Sequence, residues 1–142
     1  MKSGLTRGIA AAILFAATST AFAAAPVVKV SLLGEAGQPM SIKLDTQTVK
    51  AGAVEFDVSN DAIGTDHEVV LVKLAPGEAI TAIAKNHRVD ESKLQSMGEV
   101  SSLTPGKSGK LNVTLAAGDY VLLCNHTAHY ELGMETPFTV TK

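Results

Sequence analysis

Apolar and polar residues alternate with a period of two over much of the chain. Residues 54–58 place Val54, Phe56 and Val58 on one face, and residues 110–115 do the same with Leu111, Val113 and Leu115. Residues 40–44 alternate as cleanly and residues 27–33 in part, while 67–74, 120–124 and 137–140 are short runs rich in strand formers. Alternation of this kind marks half-buried strands. Turn formers separate the runs at residues 34–39, 59–66, 103–109 and 116–119, the last joining two strands as a hairpin. The pattern predicts an all-β sandwich. One stretch breaks the rhythm, between Ala75 and Leu103. Pro76-Gly77 makes a turn, and residues 78–85 carry Ile80, Ile83 and Ala84 at helical spacing, with Glu78 and Lys85 placed to suit the helix dipole. Residues 90–96 predict another turn or two of helix, and 98–100 a return to strand. This is a short helical insertion on the side of the sandwich.

The first part of the chain does not belong to that pattern. Lys2 and Arg7 precede an apolar run from Ile9 to Ala17, and small residues follow as far as Ala23-Ala-Ala-Pro26. A basic start, an apolar centre and an Ala-x-Ala exit predict a secretory signal peptide over residues 1–23, cleaved near Ala23. The run is too short for a spanning helix, so no stable membrane insertion is expected after cleavage. Residues 24–142 then form the single domain, long enough for one core without a partner, and a periplasmic monomer is expected. The whole chain has a formal net charge of −2. Losing Lys2 and Arg7 makes the mature part about two units more acidic, with no cluster of cations for a nucleic acid.

Exported domains usually carry cysteines in pairs, but this chain has one, Cys124, so it can form no internal disulfide. A lone thiol in an oxidising compartment must be buried or bound to a metal. Its neighbours favour the metal. Cys124, His129 and Met134 follow one another at even steps along one loop, which also holds His126. Thiolate, imidazole and thioether together suit copper, and two histidines and a cysteine in a plane with a weak axial methionine make the blue-copper arrangement. The second histidine must come from elsewhere, and His67, at the entrance of the strand it begins, is the candidate.

The loop from Cys124 to Met134 resembles the copper loop of the cupredoxins, the plastocyanin and azurin family, with spacing similar to the rusticyanin-like and sulfocyanin-like members. The upstream segment from Asn60 to Val70 and the hairpin before the loop match the same layout, so the resemblance runs from about Met40 to the C-terminus. It implies a Greek-key β-sandwich and one mononuclear type 1 copper ion, cycling between Cu(I) and Cu(II). The implied ligands are His67, Cys124, His129 and axial Met134. The implied function is reversible one-electron transfer with redox partner proteins, with no catalysis. Two positions depart from the family. Thr127-Ala128 stands where many members have Pro-Gly, leaving an extra backbone N–H that could reach the thiolate. Glu68 stands where plastocyanin and azurin have Asn.

His126 is expected to be exposed, near an electron entry face, because no His-x-His pair exists to build a trinuclear cluster with it. His87 reads as surface, and Met40 and Met97 as core or surface. No paired carboxylates or Ser-His-Asp context suggests a hydrolase. The alternative function is a periplasmic copper carrier or copper-resistance protein of the same fold. An oxidase or reductase ranks last, since it needs a second domain and a second copper site.

Overall fold

A computed structural model describes residues 24–81 and 83–142. The signal peptide expected over residues 1–23 lies outside them. Among the described residues nine strands run in chain order: β1 Val27–Leu33, β2 Ser41–Leu44, β3 Thr48–Lys50, β4 Gly52–Asn60, β5 His67–Lys73, β6 Gln95–Leu103, β7 Ser108–Leu115, β8 Gly118–Leu123 and β9 Glu135–Thr141. They make two sheets, one in the order β2-β1-β4-β7 and one in the order β3-β9-β8-β5-β6. Neighbours are antiparallel except β1 with β4 and β3 with β9, which run parallel. The all-β sandwich expected from the alternation is the observed architecture.

Alternation decides which side chains meet between the sheets. In β4, Val54, Phe56 and Val58 are buried and their neighbours are not. In β9 it is Thr136, Phe138 and Val140. Phe56 and Phe138 meet edge to face across the core, with ring centroids 5.2 Å apart, a favoured aromatic geometry. β3 was not legible as a strand: its three residues bury only Val49, too short a signal for period two.

β5 is a continuous apolar run because both its faces are covered. Val69 and Leu71 point into the main core, while Val70 and Val72 join a second cluster with Val89, Val121 and Leu123. Leu74, Ile80, Leu94 and Tyr130 pack against that second cluster. The insertion after β5 therefore acts as a lid on the outer face of β5 and β8.

That lid is not helical where a helix was expected. The expected helix over residues 78–85 is replaced, among the described residues, by turns and an isolated bridge from Ile83 to Val89. Glu78 spends its carboxylate on the Ala75 N–H (2.6 Å), closing the Pro76-Gly77 turn instead of capping a helix. Ala84 N–H then reaches the Arg88 carbonyl (2.7 Å). An isolated helix of that length is marginal in water, and an extended path lets Ile80 and Val89 both reach the sheet. The only helical element among the described residues is a single 3₁₀ turn, Glu91–Lys93, within the stretch expected to hold a turn or two. Among the described residues no helix is long and apolar enough to cross a membrane.

Candidate metal centre

β5 and β8 lie side by side, antiparallel, with Val70 opposite Leu123. His67 at the start of β5 and Cys124 just past the end of β8 therefore meet at the same end of the sheet. The chain then turns back through residues 125–134 and enters β9. Within that return, His129 N–H bonds the His126 carbonyl (3.0 Å) and Met134 N–H bonds the His129 carbonyl (3.0 Å). Cys124 N–H closes the loop onto the Met134 carbonyl at 3.0 Å. These bonds aim His129 back at the start of β5, where His67 stands.

The result is a triangle of donor atoms. His67 Nδ1 lies 3.2 Å from His129 Nδ1, and Cys124 Sγ lies 3.3 Å from His129 Nδ1 and 4.0 Å from His67 Nδ1. A point equidistant from the three is about 2.1 Å from each, within the range of metal–imidazole and metal–thiolate bonds. All three residues are buried. Met134 is fully buried in the same cluster as Cys124. The fold thus brings three of the expected ligands together and places the fourth beside them.

His67 is held from behind. His67 Nε2 faces the Gly34 carbonyl at 3.0 Å, which keeps the proton on Nε2 and leaves Nδ1 free to bind a metal. The loop that delivers Gly34 is fixed by Glu35, whose carboxylate accepts from Ile63 N–H (2.6 Å), Gly64 N–H (3.2 Å) and the Thr65 hydroxyl (2.8 Å). Asn60, buried in β4, donates to the carbonyls of Thr65 (2.9 Å) and Leu103 (2.7 Å) and accepts from Ala62 N–H (3.0 Å). These bonds pin the segment that leads into His67. Sequence reading missed Glu35, Gly34 and Asn60: Glu35 and Gly34 act on segments 28 and 33 residues away, and Asn60 joins its local turn to Leu103, 43 residues on.

The sulfur receives the Glu68 N–H at 3.4 Å and also faces the backbone N–H of His126. The extra N–H expected from Thr127 is not the one that reaches it. Ala128 N–H turns away instead, to the His87 carbonyl at 2.8 Å, and Ala128 sits at φ 69°. That is the left-handed region a glycine would occupy without strain.

Burial sets the protonation states. It pushes the Cys124 thiol up to about 11, so the metal-free site holds a neutral thiol. It holds His129 down to about 4, with His67 and His126 nearby adding to the effect, and lowers His67 as well. Two neutral imidazoles and one thiol form a donor set ready for a soft or borderline metal, which would displace one proton on binding.

Other expectations shift. His126, expected to be exposed, is half buried and stacks on His129, with centroids 5.4 Å apart and planes 29° apart. Stacking on a neighbouring ring covers more of it than an outward path would. His87 is exposed and pairs with Glu131 at 2.9 Å. Glu68 is 8% exposed, and burial raises its carboxyl above the usual range. Its Oε1 lies 3.7 Å from Arg88 Nη2. Glu68 Oε1 and His126 Nε2 are the buried side-chain atoms among the described residues that lack a hydrogen-bond partner.

No protein-family model and no curated protein sequence matches the chain. Solved structures do. A dithionite-reduced auracyanin from Roseiflexus castenholzii is 24% identical, with a TM-score of 0.59 over 85% of this chain and 100% of its own. Auracyanin A from Chloroflexus aurantiacus, described as a "blue" copper protein, is 20% identical with a TM-score of 0.57, over 82% and 99%. Rusticyanin from Thiobacillus ferrooxidans is 14% identical with a TM-score of 0.61, over 84% and 80%. The chain has the cupredoxin fold.

Proposed function

We propose that this cupredoxin-fold protein is an exported type 1 copper protein that passes single electrons between redox partner proteins. The observation that carries the reading is the triangle of His67 Nδ1, Cys124 Sγ and His129 Nδ1, whose centre lies at bonding distance from all three. His67, Cys124 and His129 would hold one copper ion, with Met134 as the weak axial ligand. Copper supplies the Cu(I)/Cu(II) couple. The protein supplies a frame: ligands set by β5, by β8 and by a return loop closed with its own hydrogen bonds need little rearrangement when the charge changes. Two backbone N–H groups on the sulfur stabilise its negative charge and tune the potential. His129, 8% exposed, is the closest of the three to solvent and the exit toward a partner. The blue-copper description of auracyanin A supports the assignment.

The signal peptide over residues 1–23 and a periplasmic, monomeric life for residues 24–142 belong to the same proposal, with no nucleic-acid partner and no catalysis. The test is the visible and electron paramagnetic resonance spectra of the mature protein with one equivalent of Cu(II), then ascorbate and re-oxidation. An intense thiolate-to-copper band, absent in Cys124→Ser, with bleaching and recovery on cycling, is expected. A weak band, or copper lost on reduction, overturns electron transfer in favour of a carrier.

A further inference from the structure

Asn125 follows Cys124 directly, is 2% exposed, and spends its side chain on a segment far from it in sequence. Its Oδ1 accepts the Val89 N–H at 2.6 Å, and its Nδ2 donates to the Val89 carbonyl at 3.0 Å and to Glu91 Oε1 at 2.5 Å. One amide side chain thus pairs with a backbone residue as a strand would. Two more links run beside it. Ala128 N–H donates to the His87 carbonyl at 2.8 Å, and Glu131 pairs with His87 Nδ1 at 2.9 Å. Residues 125, 128 and 131 of the return loop are therefore all fastened to residues 87–91 of the lid. The lid is fastened to the sheet in turn, because Val89 is buried against Val70, Val72, Val121 and Leu123. Arg88, in the same segment, reaches Glu68 beside His67.

A buried amide costs stability unless each polar atom is bonded, and an apolar residue would fill the same space more cheaply. What the amide adds is direction: it fixes the backbone one residue after the thiol. We propose that Asn125 is a positioning residue, and that with residues 87–91 it forms a latch holding the Cys124–His129 loop in its binding shape before any metal arrives. The lid is the anchor. Without it the loop between Cys124 and Met134 would keep, beyond itself and β9, the Met40 N–H on the Leu132 carbonyl at 3.0 Å, which is far from Asn125 in the loop.

The latch rests on the copper reading for its purpose but is testable without metal. Cys124 is the only thiol, so its reaction with an aromatic disulfide reports opening of the loop directly. In metal-free protein, Asn125→Leu and Glu91→Ala are expected to speed that reaction at least tenfold. Native-state exchange of the Ala128 N–H should accelerate, and that of the β5 and β8 amides should not. Glu91→Gln, which keeps the accepting oxygen, should restore the slow reaction. With copper, the same two variants should release Cu(I) to a chelator at least fivefold faster and broaden the copper hyperfine pattern. A thiol rate within twofold of the parent in both variants overturns the latch. So does acceleration shared equally by the strand amides, which would mean global loosening. If Asn125→Leu does not fold, Glu91→Ala decides alone. A parent protein that shows no thiolate-to-copper band sinks the copper reading and leaves the thiol and exchange results to judge the latch.

Discussion

Cys124 shows how a single residue can carry both chemistry and stability. Its folded-state value of about 11 stands above the ordinary 9.0, so the neutral thiol is favoured by folding. Tyr130, pushed by burial up to about 12, and Tyr120, raised by burial, act in the same sense. A group raised on folding contributes stability that is complete below its unfolded value and lost as pH climbs toward the folded one. Metal-free protein is therefore expected to hold its denaturation midpoint up to about pH 9 and to lose stability between there and about pH 11. Cys124→Ser should delay the fall until the tyrosines titrate, as urea unfolding across that range would show. At Ala128 the expectation has the other sign. Ala128→Gly removes a left-handed strain and should stabilise the protein by about 0.5 kcal/mol, after allowing for the looser unfolded chain. Of the four proposed ligands, Cys124, His129 and Met134 were readable because their chemistry is rare and their spacing short, and His67 because that loop left one histidine to be found elsewhere. Asn125, Glu35 and Asn60 were not, because a polar residue takes its meaning from a partner that only the fold supplies.

Among elements, β5 has the largest demands placed on it. It fills the main core with Val69 and Leu71, carries the lid on Val70 and Val72, and presents His67 at its entrance. The sequence run was legible as a strand, but the two-sided burial was visible only as missing alternation. The lid was misread as helical because Ile80 and Ile83 fit that period, whereas only Ile80 packs on the second cluster and Ile83 is 38% exposed. Truncating the second cluster tests its weight: Leu123→Ala should cost about 2–5 kcal/mol in chemical denaturation, as deletions in closed cores do. The turn after β1 is the other exacting element. At Gly34, φ is 123° and a Cβ would stand 2.8 Å from Met40 Cγ. Gly34→Ala should destabilise by at least about 2 kcal/mol and shift the copper spectrum, since the Gly34 carbonyl that orients His67 must move with it.

At the scale of the molecule, both sheets contribute to the end where the donors meet. The β1–β2 and β4–β5 turns support His67, while β8, β9 and the lid support the loop. The sandwich itself followed from alternation, but the order of strands in the sheets did not, because pairing depends on contacts between distant segments. A ligand that binds only the folded state stabilises it by mass action, about 4 kcal/mol at a thousandfold excess over Kd. Loading with Cu(I) should accordingly raise the melting temperature, and a chelator should reverse the rise.

The register of β5 against β8 has a kinetic consequence. His67 and Cys124 are 57 residues apart in sequence, and the donors meet only when strands far apart in the chain have paired. Closing so long a span costs entropy before its contacts reward it, and we expect the last donors, carried by the return loop, to come together after the rate-limiting barrier. Metal should then leave the refolding rate almost unchanged and slow unfolding instead. The protein would be loaded as a finished vessel, and its grip on the ion would appear as a long lifetime of the native state.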